Sequence, residues 1–134
     1  MQNQNRFALL ILPLLAAIAL FASPALATTN PAPTATVADC HQAIDGARND
    51  LAGVVITGNS PDQTRSSLDS KLDGADLKLD QGKLTDALTK LTDFGSKVTT
   101  LQSAGKISDG TVSVAQLLAD TDAAAACVQS LIAP

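Results

Sequence analysis

His41 is the only histidine in this 134-residue chain, and it directly follows Cys40. A thiol with an imidazole beside it is the pair from which a cysteine nucleophile and its base are built. Neighbours on a helix project about 100° apart, however, so these two side chains diverge if the segment is helical. One imidazole also falls short of the several convergent donors that a zinc or haem site requires. The sequence therefore predicts no catalytic residue, no metal and no cofactor, and it places His41 on a helix surface.

The acidic residues offer two further chemistries. All 13 are Asp, with no Glu. From Asp69 to Asp80, acids stand at positions one, five and twelve of a calcium-type loop, with Gly74 at position six. Lys71 fills position three, where an oxygen ligand belongs, and Leu68, Leu72 and Leu79 keep helical spacing through the segment. A continuous helix cannot wrap an ion, so calcium binding is not expected. Read instead as a helix, Asp62, Asp69, Asp73, Asp76 and Asp80 fall within about 60° of one another. That ridge is the candidate binding face for a cationic partner, with Lys71 and Lys78 turned well away. Glycosidase-type acid pairs need a cleft and one carboxyl of raised pKa, and a narrow helical chain without aromatic walls provides neither.

Four segments have the periodicity needed to carry these residues. Val37, Cys40, Ile44, Ala47, Leu51 and Val54 share one face of a helix from about Val37 to Ile56. The β-branched run around Leu51–Thr57 makes a strand the competing local reading. Ser60-Pro61-Asp62-Gln63 starts a second helix, with Ser60 as N-cap, that runs to about Gln81 and ends at Gly82. Leu84, Ala87, Leu88, Leu91, Phe94, Val98 and Leu101 stripe a third, from about Lys83 to Ser103, whose polar side offers the pairs Asp86–Lys90 and Asp93–Lys97. A fourth, about Thr111 to Ala133, turns Val114, Leu117, Leu118, Thr121, Ala124, Ala125, Val128 and Ile132 inward. The fold class that follows is all-α, a small antiparallel four-helix bundle spanning 37–134.

Ahead of it, Arg6 and then the charge-free stretch Phe7–Phe21 lead to Ala25-Leu26-Ala27. A charged start, a short apolar middle and a small-residue end read as a secretory signal peptide over 1–27. The apolar run is too short for a bilayer span, and no other is longer. Residues 28–36 (TTNPAPTAT) form a Pro/Thr-rich tether. Cleavage after Ala27 leaves 107 residues with a net charge of −5. The expected location is secreted or periplasmic/cell-envelope space, with no membrane span after cleavage. In that oxidising setting Cys40 and Cys127 are expected to form a disulfide, because the start of the first helix and the end of the fourth share a pole. The acidic balance and the absence of Trp and Tyr exclude nucleic acid as a partner.

The spacing Leu68-x3-Leu72-x2-Ala75-x3-Leu79-x2-Gly82-x4-Ala87-x3-Leu91-x2-Phe94-x3-Val98, followed by Gly105-Lys106-Ile107-Ser108, resembles the FIMAH domain over about residues 65–125. Phe94-Gly95-Ser96-Lys97-Val98 stands in place of that family's namesake stretch. The resemblance implies a helical accessory module of exported bacterial proteins, here standing alone, with no catalytic residues to carry over. The functional expectation is a non-enzymatic interaction module binding a protein or cell-envelope component. The alternative is a secreted carrier holding a small apolar ligand among Leu51, Leu72, Leu91 and Leu117.

Overall fold

The structure, a computed structural model, describes residues 34–133. The expected leader and residues 28–33 of the tether lie outside the described residues. Four helices form an antiparallel bundle: α1 (Val37–Gly53), α2 (Pro61–Asp80), α3 (Leu84–Ser103) and α4 (Val114–Ile132). Two short strands, β1 (Val55–Ile56) and β2 (Ile107–Ser108), interrupt the α1–α2 and α3–α4 connections. Each helix packs on its two neighbours around a square, and the α1–α2 side is the least closely packed. Among the described residues, no helix is long and apolar enough to cross a membrane.

The apolar stripes meet in one core. Ile44, Leu68, Leu72, Leu91, Phe94, Val98, Val114, Leu117 and Val128 are completely buried, and Phe94 is the largest of them. Thr121 joins them by donating its hydroxyl to the Leu117 carbonyl at 2.7 Å, so its buried polar atom is satisfied within the helix. Two expected core positions are corrected. Val37 and Ile132 are 44% and 37% exposed, because they sit in the first and last turns where no further helix covers them.

The helix ends follow from local chemistry. Thr36, assigned to the tether by composition, is the N-cap of α1: its hydroxyl accepts from the Asp39 amide at 3.2 Å, and Asp39 accepts from the Thr36 amide at 2.8 Å. The Thr36 hydroxyl also donates to Asp39 Oδ2 at 2.7 Å, and this bond first, then the one from the Thr36 amide, holds the Asp39 carboxyl below its ordinary pKa. At the end of α2, the Lys83 amide reaches the Lys78 carbonyl and the Gly82 amide reaches that of Leu79, with Gly82 at φ +68°. The same pair of bonds, from Lys106 to Leu101 and from Gly105 to Gln102, closes α3, with Gly105 at φ +65°. Only a residue tolerant of left-handed backbone fits these joints, so the glycine punctuation has a specific cause.

Two expected boundaries move by three residues each. α1 stops at Gly53, and Val55–Ile56 pairs antiparallel with Ile107–Ser108, Val55 opposite Ser108 and Ile56 opposite Ile107. The β-branched run wins locally because extended backbone turns Ile56 and Ile107 inward to cover the end of the core. α4 begins at Val114, three residues later than expected. Residues 111–113 are held instead as a turn, with Thr111 and Val112 both donating to the Gly53 carbonyl, at 3.2 and 3.3 Å. Ser60 occupies the N-cap position of α2 but makes no side-chain cap bond; its carbonyl accepts from the Thr64 amide and hydroxyl, both at 3.0 Å.

Cys40 and Cys127 form the expected disulfide, with Cα atoms 5.4 Å apart. It ties α1 to α4 at one pole, while the β1–β2 ladder ties the two loops at the other. A loop of 87 residues closed this way contributes about 4–5 kcal/mol in the chain-entropy account.

The glycines give a paired test. A Cβ on Gly110 would overlap the Gly53 carbonyl oxygen, whereas one on Gly74, inside α2, would meet only the Lys90 stem, at 3.6 Å. Gly110→Ala should therefore cost roughly 1–3 kcal/mol, and Gly74→Ala should add up to about 1 kcal/mol. Urea midpoints check both; equal effects would show that the loop crossing imposes no constraint.

Candidate functional site

The α1–α2 seam gathers most of the chemistry-bearing side chains. On α1, His41 and Arg48 lie seven residues apart, two turns along one face. On α2, Asp69, Asp73, Asp76 and Asp80 form a stripe at matching intervals. Because the helices run antiparallel, the start of α1 meets the end of α2. His41 Nδ1 lies 2.9 Å from Asp76 Oδ1, and its Nε2 lies 2.9 Å from Asp80 Oδ1. Arg48 sits two turns on and contacts four carboxylates: Asp45, Asp69 at 3.3 Å, Asp73 at 3.0 Å and Asp76 at 2.7 Å. Asp76 is the shared member, with one oxygen on His41 and the other on Arg48, and it is the most buried of these acids at 23% exposed.

This geometry revises the expected picture of the acidic ridge. Asp69, Asp73, Asp76 and Asp80 do share a face, but that face borders α1 and its carboxylates already hold an arginine and a histidine. Asp62 stands apart, at the exposed start of the ridge. His41 is not a simple surface histidine, since both of its ring nitrogens are engaged across the seam. The Asp76 hydrogen bond raises the imidazole pKa above its ordinary 6.5; burial opposes this, and the charges of Asp76 and Asp80 reinforce it. Arg48 is likewise held further toward its cationic form, chiefly by Asp76. Helix α2 runs unbroken through the calcium-like stretch. The Asp86 carboxylate, expected beside Lys90, lies 3.7 Å from Lys78 across the α2–α3 turn.

At the far end of the seam is a groove of about 370 Å³. Buried Leu51 and exposed Ala52 are its apolar lining, and Arg48, Asp62, Arg65 and Asp69 line it with charge. Arg65 reaches from α2 to the last carbonyls of α1, donating to Leu51 and, at 2.9 Å, to Val54. It thereby satisfies acceptors that the end of the helix leaves open. Of the four leucines expected around an apolar ligand, Leu51 borders this groove; Leu72, Leu91 and Leu117 are fully buried in the common core.

A second carboxyl pair, with no signal in the sequence pattern, spans α1 and α4. Asp50 faces Asp120, and Asp50 Oδ2 is buried without a hydrogen-bond partner. Asp120 is fixed from its own helix by the Gln116 amide at 2.9 Å. Burial first, then the neighbouring Asp120 carboxyl, pushes the Asp50 pKa above its ordinary 3.8. Both cysteines are committed to the disulfide, which leaves no free thiol. Among the described residues, no cluster of three or more His, Cys or Asp side chains is arranged to hold a metal.

Comparison with known proteins returns no match: no family model, no curated protein and no solved structure resembles this chain closely enough to assign it.

The Asp50–Asp120 pair makes a signed prediction. A folded-state pKa above the unfolded value gives a stabilising contribution that is complete below 3.8 and is lost as pH rises through the folded value. Asp50→Asn removes the like charge and keeps a donor for Asp120. It should raise the urea midpoint at pH 7 and remove the loss of stability that Asp50 contributes as pH rises through its folded value. A lowered midpoint would show that the charged pair is not a cost.

Proposed function

We propose that the chain is an exported, non-enzymatic interaction module of the bacterial envelope or extracellular space, and that it engages a cationic protein or envelope component through α2. The observation that carries this reading is the charge imbalance of the seam. Five carboxylates (Asp45, Asp69, Asp73, Asp76 and Asp80) meet one guanidinium and one imidazole, so at least three negative charges stay uncompensated. Asp73 and Asp80 are about two-thirds exposed, and Asp62 extends the patch toward the start of the helix. A fixed excess of one sign on one face steers an oppositely charged partner and weakens with salt.

Several features support the rest of the reading. The leader-like N-terminus supports export, and the disulfide fits an oxidising compartment. The engagement of His41 and both cysteines in structural bonds supports a non-catalytic role. The resemblance to the FIMAH module over residues 65–125 points the same way. Binding to an immobilised oligolysine peptide tests the proposal. The wild-type chain should bind at low ionic strength and dissociate as salt rises, and Asp62→Asn, Asp69→Asn and Asp73→Asn together should weaken binding roughly tenfold or more. Unchanged affinity in that variant would remove α2 as the docking face.

A second reading, the carrier of a small apolar ligand, draws its support from the groove beside Leu51 and Ala52. Its size lies at the lower end for small-molecule sites. Ala52→Trp should fill the groove and abolish any fluorescence gain of a hydrophobic probe seen with the wild type. A gain that survives the substitution would rule the groove out.

A further inference from the structure

The contacts of His41 carry a consequence that does not depend on any partner. A neutral imidazole has one N–H and one lone pair, whereas the cation has two N–H donors. Both ring nitrogens of His41 face carboxylate oxygens at 2.9 Å. Only the cation can donate to both; the neutral ring must turn a lone pair toward one of them. The charged groups around the ring come from both helices: Asp76 and Asp80 from α2, and Arg48 from α1, which shares Asp76 and also holds Asp45.

We propose that His41 is a pH-dependent latch on the α1–α2 seam, closed when the imidazolium bridges Asp76 and Asp80 and released when the ring is neutral, and that Asp76 relays its state to the groove. The relay is a continuous set of contacts. Asp76 binds His41 through Oδ1 and Arg48 through Oδ2, and Arg48 in turn holds Asp69. Arg48 and Asp69 both border the groove. When His41 loses its proton, Asp76 loses its cationic partner on one side and draws more strongly on Arg48 from the other, so the groove rim adjusts. The latch sits on the least closely packed side of the bundle, where apolar contact opposes a small opening least. The direction follows from the raised imidazole pKa: the stabilisation is complete below 6.5 and is lost as pH rises through the folded value.

A proton NMR titration of the intact wild-type chain tests this without any substitution. The His41 ring should titrate with a midpoint above 6.5. The Arg48 side-chain N–H and the backbone amides of Leu51, Ala52 and Ser66 should shift with that same midpoint. A His41 midpoint at or below 6.5 overturns the latch, and groove resonances that do not follow His41 overturn the relay. Two variants separate the parts. Asp80→Asn should move the His41 midpoint down toward 6.5, and an unmoved midpoint counts against the double bridge. His41→Gln, which cannot titrate, should leave the groove amides flat across neutral pH; a surviving transition there would assign it to another group.

Discussion

The core of this protein can form only if its four stripes are held in one antiparallel register, and two closures at opposite poles impose it. At one pole the Cys40–Cys127 bond fixes the first turn of α1 beside the last turns of α4. At the other, the two-residue β1–β2 ladder fixes the α1–α2 loop beside the α3–α4 loop, with Arg65 capping α1 below it. Between them the helices have little freedom to slide. Axial sliding is what would otherwise blur the charge pairing along the seam, because one turn of offset moves every acid of α2 by a full pair position. The match of His41 with Asp76 and Asp80, and of Arg48 with Asp69 and Asp73, is thus a product of the poles.

That dependence explains what was legible in the sequence. The helices could be located from leucine and alanine spacing, because burial on one face acts within a single helix. The glycines at 82 and 105 could be placed because a left-handed joint makes its demand locally. The disulfide followed from export-type features, two cysteines and the topology. What the pattern left open were relations between elements. The ridge of α2 was visible as a stripe of acids, but nothing in the stripe said that α1 would lie along it with a histidine and an arginine in step. Residues 111–113 carry no local mark of a turn, because the partner that holds them, the Gly53 carbonyl, is 58 residues away along the chain. Asp50 and Asp120 carried no signal at all, since neither belongs to a motif and their meeting depends on the rotation of two helices.

Aspartate suits this seam for a reason of reach. Its carboxylate sits one methylene closer to the backbone than that of glutamate, so acids along α2 stay near their own helix while the long arms of Arg48 and the ring of His41 cross the gap. The charge centres are therefore placed by rigid short side chains on one side and adjustable ones on the other. That arrangement lets one guanidinium collect carboxylates from three turns of α2.

The disulfide has a consequence beyond its effect on register. It closes the chain from Cys40 to Cys127 into a covalent ring that contains nearly all of the folded protein, including every loop between the helices. One peptide cut anywhere in that ring, whether at Gly58-Asn59, at Gly82 or in the stretch before α4, opens the circle without releasing a fragment. Both new ends stay attached through the sulfur bridge, and the apolar stripes on either side of the nick remain packed in the same core. Wherever proteases work on exposed turns, such a molecule needs two cuts before it can lose a helix.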